Sequence, residues 1–345
     1  MGDLTRDDLW YDLPEAAIAQ QPVEPRDAAR LLDTRDLSDH RFAGLPGLLE
    51  PGDLVVVNRT RVRAARLVGT RRGTGGSVEV LVLAPVGDDT WEALLRPARR
   101  LRTGVVVEFP DGVDAELVSD PIEGRARVRF RLHGDVDPEA WFDQAGQVPL
   151  PPYITRELED PERYQTIFAR TVGSAAAPTA ALHFTAGVVD GLAARGVAMT
   201  EVELEVGLGT FRPVATERVA DHVMHAERYV VPPEAASAVA ECRARGGRVV
   251  AVGTTVLRTL ESTADGAGGI EPGGGSTDLF VVPGFRFRVV DLLVTNFHVP
   301  GSTLVALVAA VLGDRWRDVY RTALERGYRF LSFGDAMLAE VPRGR

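Results

Sequence analysis

The hydrophobic rhythm of the chain changes twice. Between residues 59 and 148, short apolar runs (Val78 to Leu83, Val105 to Phe109, Arg127 to Leu132) are separated by turn sequences RRGTGG, PVGDDT and FPDGV. Short β-rich segments at this spacing predict a small barrel. Beyond PLPPYI (149–154) the pattern lengthens. Strand-like runs at Glu201 to Val206, Arg248 to Val252, Leu279 to Val282 and Val289 to Thr295 now alternate with helical ones. The helices are expected over Val188 to Arg195, Pro233 to Arg245, Val256 to Ser262, Ser302 to Leu312 and Arg315 to Arg326. Such alternation predicts an α/β layer with parallel strands. Asp53 to Asn58 reads as a further buried strand. The expected fold is therefore α/β: a barrel-like α/β core from residues 1–58 and 149–345, with an inserted small all-β barrel at 59–148. The glycine-rich Gly266 to Ser276 is expected to be a flexible loop.

Composition narrows the chemistry. The chain has 345 residues, 45% hydrophobic and 26% charged, which suits a soluble protein of two domains. Its N-terminus is acidic without an apolar core, and Leu304 to Leu312 is about half the length that spans a bilayer. A cytoplasmic monomer without membrane contact is expected. Cys242 is the single cysteine, so an intrachain disulfide is impossible and a zinc site would need histidines and carboxylates. All 39 basic residues are arginine. Without lysine there is no Schiff-base chemistry and no Walker-type phosphate loop.

The net charge of −10 argues against a general nucleic-acid binder, but it is unevenly spread. Arg59 to Arg131 carries +4 and the rest −14. Within that window Arg59, Arg61, Arg63, Arg66, Arg71 and Arg72 follow one another without an acid. Arg125, Arg127, Arg129 and Arg131 alternate with Ala126, Val128 and Phe130, which on a strand puts four guanidiniums on one face. That face is either a solvated exterior or an RNA-facing one. Arg59, Arg61, Arg63, Arg125, Arg127 and Arg129 are the candidate RNA contacts.

Four segments set polar residues against an apolar framework. They are AAPTAALHFT with Thr179 and His183, ELEVGLGTFRPV with Thr210 and Phe211, AVGTTVLRTLES with Thr254 and Thr255, and VTNFHVPGSTL with Asn296 and His298. In the last two a strand end feeds a helix start, where unpaired N–H groups suit a carboxylate, a phosphate or ribose hydroxyls. Serine or threonine there also serves as a plain cap, Ser302 or Thr303 in the fourth segment. His222, His225 and Glu227 lie close in sequence, but HExxH and CxxC spacings are missing and no metal is expected. A serine-nucleophile elbow, G-x-S-x-G, is also missing.

Together these segments resemble one family, the S-adenosylmethionine:tRNA ribosyltransferase-isomerases of queuosine biosynthesis. The resemblance runs through YDLPEAAIAQQPVEPRDAARLL, PGDLVVVNRTRVRAARLVG, GSVEVLVL, PLPPYI, ERYQTIFA, AAPTAALHFT, VGLGTFRPV, MHAERY, VGTTVLRTLES, TNFHVPGSTL and YRFLSFGDAML. It implies an α/β-barrel-like core with an inserted small β-barrel. It also implies transfer of the ribosyl part of S-adenosylmethionine to 7-aminomethyl-7-deazaguanine in a tRNA anticodon stem-loop, with isomerisation to epoxyqueuosine and loss of adenine and methionine. S-adenosylmethionine is consumed as a substrate, and no cofactor is expected. The sulfonium acidifies the neighbouring ribose carbon, so a general base is wanted, and protonation would ease adenine's departure.

The resemblance suggests His183, His298, His225 and Glu227 for acid–base work. Thr254, Thr255 and Arg258 would hold the methionine carboxylate or ribose, with Thr179 and Thr210 beside them. Asn296, Gly334 and Asp335 would contact the nucleoside, and Phe211 or Phe297 would stack on a base or pack in the core. The chain departs from the family pattern at Glu205, Ala181, Arg59, Ala29, Ala65 and Gly301. These departures leave two alternatives open: a divergent paralogue acting on a small-molecule acceptor, and a non-catalytic RNA-binding protein.

Overall fold

The computed structural model describes residues 4–87, 89–134, 136–207 and 214–342. Two compact units divide the chain: Met1–Arg61, Pro151–Thr171 and Ala177–Arg345 form one, Val62–Leu150 and Val172–Ala176 the other. The small unit thus takes back a short return segment, Val172–Ala176, beyond the expected insertion.

The large unit is built on a nine-stranded sheet. Its centre is parallel: Ala198–Leu204 pairs with Leu54–Asn58, which pairs with Val249–Val252, which pairs with Leu292–Asn296. Ala336–Glu340 then runs antiparallel to Leu292–Asn296 and parallel to Arg30–Asp33, and Ser38–Arg41 closes that side. On the other side Glu227–Val231 and Gly273–Thr277 add antiparallel strands. The sheet is therefore mixed, where uniform parallel strands were expected.

Leu54 to Val57, Val249 to Val252 and Leu292 to Val294 are apolar at every position because both faces are covered. Leu54 and Val56 join one core cluster, Val55 and Val57 the other; Val249 and Ala251 split from Val250 and Val252 in the same way. Helices Pro233–Ala244, Thr254–Ser262, Thr303–Leu312 and Trp316–Glu325 supply the first layer, and Ala186–Ala194 packs with Phe42 and Leu45 in the second. Each expected helix forms.

Two local expectations are corrected. Gly273–Thr277, taken as part of a loop, is an edge strand whose backbone pairs with Glu227–Val231. Strand pairing is made by main-chain groups and needs no side chains. Leu279 to Val282 is not a strand: its apolar side chains pack against the core from an irregular segment, and the Leu279 carbonyl accepts from Arg258. Among the described residues no helix is long and apolar enough to cross a membrane.

The small unit is a closed barrel of six strands: Arg125–Arg131, Thr90–Arg96, Ser77–Pro85, Arg66–Arg71, Val106–Glu108 and Asp114–Leu117. Ala126, Val128 and Phe130 point inward, and the arginines between them face outward, as the alternation predicts. Helix Pro138–Ala145 closes the interior with Trp141 and Phe142 against Phe109, Phe130 and Trp91.

Candidate active site

A cleft of the large unit opens where two parallel strands stop. Val249–Val252 runs into Gly253, whose φ of +94° is a backbone conformation essentially reserved to glycine. Helix Thr254–Ser262 starts there with no side chain capping it, which leaves orphan N–H groups and a partial positive charge at the cleft. The neighbouring helix Thr303–Leu312 differs: Ser302 accepts from the Val305 N–H at 3.4 Å and occupies its own terminus. The cleft holds about 560 Å³ of empty space, part of it open to solvent. Thr254, Thr255, Thr179, Thr295, Asn296 and His298 line it, with Tyr153 and Ser332 at one side.

Thr255 is its most informative residue. Its hydroxyl is buried and has no hydrogen-bond partner among the described residues. A buried polar group left in that state costs about 1–3 kcal/mol, which a ligand atom in the cleft would relieve.

Around it, the polar side chains are held in place. The Asn296 Oδ1 accepts from the Thr179 hydroxyl at 2.8 Å, and its Nδ2 reaches the Asp335 carbonyl at 3.3 Å and the His183 Nε2 at 3.4 Å. The His298 Nε2 lies 2.9 Å from the Thr295 hydroxyl. Its main chain is pinned too, since the carbonyl accepts from the Tyr11 hydroxyl and the N–H donates to the Tyr320 oxygen. Burial pushes the His298 imidazole down to about 3. His183 is also pushed down to about 3, by burial first and then by Arg329 and Arg26. Both rings are neutral at pH 7. His183 faces a separate small cavity with Arg26, Arg163 and Phe333, behind Asn296.

Several expected site residues are placed elsewhere. Phe297 borders the cleft, but its ring is fully buried and packs on Phe330 and Tyr320, at ring-centroid distances of 4.7 and 5.3 Å, so it cannot stack on a base. The Asp335 carboxylate accepts the N–H groups of Arg30 and Arg329 at 2.9 and 2.7 Å and fastens a turn; only its carbonyl touches the site. Gly334 lies in the same turn, where a Cβ would stand 2.5 Å from the Arg329 carbonyl. Glycine is there for a close chain approach, without contact to the cleft. Arg258 and Glu227 form a buried ion pair. Arg258 also donates to the Leu279 carbonyl at 2.9 Å, and Glu227 accepts the Gly207 N–H at 2.8 Å. Their charges are thus committed to each other, although Arg258 borders a small cavity next to Thr255. His225 is exposed and does not line the cleft. Thr210 and Phe211 lie outside the described residues.

The RNA candidates are redistributed as well. Arg63 is buried, with its guanidinium forked onto Glu139 at 2.6–3.0 Å and donating to the Leu83 carbonyl, so it cannot reach RNA. Arg59 pairs with Glu203 and Arg61 with Glu162. On the barrel, Arg125 pairs with Glu92 at 3.3 Å, Arg129 with Asp89 at 3.4 Å and Arg131 with Glu116; Arg127 stands opposite Glu92 in the ladder. The arginine face is outward but largely neutralised.

Tyr153, Thr295 and Ser332 were missed. Tyr153 belongs to PLPPYI and Ser332 to YRFLSFGDAML, segments that carried the resemblance without suggesting a chemical role. None of the departures lines the cleft. Ala29 and Ala181 are core residues, Ala65 is buried, Glu205 pairs with Arg228 at 2.9 Å, and Gly301 stands against Trp10.

Comparison with known proteins agrees with this geometry. A family model described as queuosine biosynthesis protein matches residues 6–339. An S-adenosylmethionine:tRNA ribosyltransferase-isomerase of Symbiobacterium thermophilum is 52% identical over 96% of this chain and 98% of its own. One from Heliobacterium modesticaldum is 52% identical over 95% and 97%. The crystal structure of an S-adenosylmethionine tRNA ribosyltransferase from Thermotoga maritima is 35% identical, with a TM-score of 0.54 over 96% of this chain and 99% of that one.

Proposed function

The chain belongs to the queuosine biosynthesis family of S-adenosylmethionine:tRNA ribosyltransferase-isomerases, and from that premise we propose how its cleft serves the reaction. The protein is an enzyme that transfers and isomerises the ribosyl group of S-adenosylmethionine onto a tRNA base in queuosine biosynthesis. In our reading the acceptor is 7-aminomethyl-7-deazaguanine at the wobble position, and adenine and methionine leave.

The observation that carries the site assignment is the unpartnered Thr255 hydroxyl beside an uncapped helix start. Orphan N–H groups and a hydroxyl donor suit the methionine carboxylate or the ribose oxygens. Arg258, held by Glu227, shapes this end of the cleft without itself gripping the carboxylate. Asn296, fixed by Thr179 and the Asp335 carbonyl, is positioned to orient the nucleoside. His298 is the cleft's candidate base: it is neutral at pH 7, so its ring can accept a proton from the carbon next to the sulfonium. The same burial that keeps the ring neutral also weakens it as a base, so proton transfer to it relies on the acidifying effect of the neighbouring sulfonium. None of the departures that favoured a divergent paralogue lines the cleft, although Ala181, Glu205 and Gly301 each adjoin in sequence a residue that does.

The test is adenine release from S-adenosylmethionine, with and without tRNA carrying the deazaguanine precursor, followed by mass analysis of the wobble nucleoside. Release that requires the precursor tRNA, with the epoxyqueuosine mass appearing, is expected. Binding of S-adenosylmethionine with an unmodified tRNA would overturn the acceptor assignment.

A further inference from the structure

We propose that the turn Arg96–Arg102 of the barrel unit is the phosphate-gripping surface for the tRNA substrate. This rests on the tRNA activity proposed above and identifies where the polyanion is held. Four arginines, Arg96, Arg99, Arg100 and Arg102, fall within seven residues, all exposed. No ion pair engages any of them among the described residues, in contrast to Arg125, Arg129 and Arg131 on the barrel face. Arg71 joins the group by donating to the Arg100 carbonyl at 3.1 Å.

The turn is built to present these side chains. Leu101, between Arg100 and Arg102, is 2% exposed and pegs the loop to the barrel. Its N–H donates to the Ala98 carbonyl at 3.0 Å, and the Val105 N–H donates to the Arg102 carbonyl at 3.1 Å. Asp120, beside the turn, accepts the N–H and hydroxyl of Thr103 at 2.8 and 2.9 Å and so anchors the loop's end. A chain of net charge −10 repels RNA at long range unless it offers a local cationic surface. Guanidiniums that no carboxylate pairs are the groups best matched to phosphate oxygens; Asp120 feels the charge of Arg102 without pairing with it, and Glu79, opposite Arg96 in the ladder, is taken by Arg66. A neutralised stripe has already spent that capacity.

The experiment measures binding of precursor tRNA to the full-length protein over a salt series. R99A/R100A/R102A is compared with R125A/R129A/R131A, which removes the same number of positive charges. The loop variant is expected to bind about tenfold or more weakly, with the slope of log K against log salt reduced by about 2–3. The stripe variant should lose less than about threefold. R99K/R100K/R102K should retain part of the affinity, because charge remains while the fork is lost. R99A/R100A, which spares the Arg102 contacts to its own loop carbonyls, serves as a second variant should the triple one fold poorly. Equal loss in both triple variants, or wild-type binding by the loop variants, would overturn the proposal. Should the wild type fail to bind precursor tRNA or to release adenine with it, the acceptor assignment falls as well. Normal turnover by wild type with an unchanged tRNA KM in the loop variants would sink the loop proposal alone.

Discussion

At the scale of single residues, the site is defined by which polar atoms are satisfied. Thr255 and Asn296 both sit in matching motifs, yet one hydroxyl is unpartnered and the other side chain is fully engaged. Thr255→Val removes the hydroxyl at nearly constant shape. Thermal stability should hold or rise slightly, because an unsatisfied buried group is lost. The KM for S-adenosylmethionine should rise about tenfold, equivalent to about 1.4 kcal/mol of binding. An unchanged KM would show that this hydroxyl does not meet the substrate. His298→Gln can keep a hydrogen bond to Thr295 but loses the imidazole. Single-turnover adenine release by it should slow about a hundredfold or more if the ring is the base. These residues were legible because they break an apolar pattern. Phe297 and Asp335 share those motifs, yet the ring of one packs in the core and the carboxylate of the other fastens a turn, because a motif does not say which way a side chain points.

Helix Thr254–Ser262 shows what an element adds. Its start depends on Gly253, and Gly253→Ala should cost about 1–3 kcal/mol in urea unfolding, since an L-residue is strained at that φ. Its second turn carries Arg258 into contact with Glu227 across the layer. Arg258→Ala leaves a buried carboxylate without its counter-ion, and a loss of about 3–5 kcal/mol is expected by the same measurement. A loss below about 1 kcal/mol would mean that Glu227 is not held as a buried ion. The helix itself was legible from its periodicity. Its partner was not, because 31 residues separate Glu227 from Arg258 and only the fold closes that gap. The strand Gly273–Thr277 escaped detection for a related reason: pairing along a sheet edge leaves no side-chain signature.

For the whole molecule, two buried neutral histidines link stability to pH. In the unfolded chain each imidazole takes up a proton near pH 6.5, whereas His183 and His298 resist until about pH 3 when folded. The unfolded state therefore binds more protons in that window, and stability falls as pH is lowered through it. Each histidine contributes a slope approaching about 1.4 kcal/mol per pH unit. Melting temperatures should drop between about pH 6 and 4.5, before carboxylates titrate, and His183→Asn should flatten the drop. An identical pH dependence in that variant would mean that His183 is not buried neutral.

The sequence by itself determined the fold class, the helices and the segments that carry the chemistry. Each of these is written in local periodicity, in turn residues or in contiguous motifs. It also showed that positive charge concentrates between Arg59 and Arg131. Only the tertiary structure decided which of those charges are available. Glu139, Glu92, Asp89 and Glu116 neutralise the arginines that pattern favoured, while the turn Arg96–Arg102 has no carboxylate paired to it among the described residues. The same holds at the site, where burial makes His298 in the cleft and His183 in the adjoining cavity neutral and leaves one threonine hydroxyl without a partner among the described residues. Desolvation and pairing depend on what lies across space, and neighbours in space are what a linear pattern does not record.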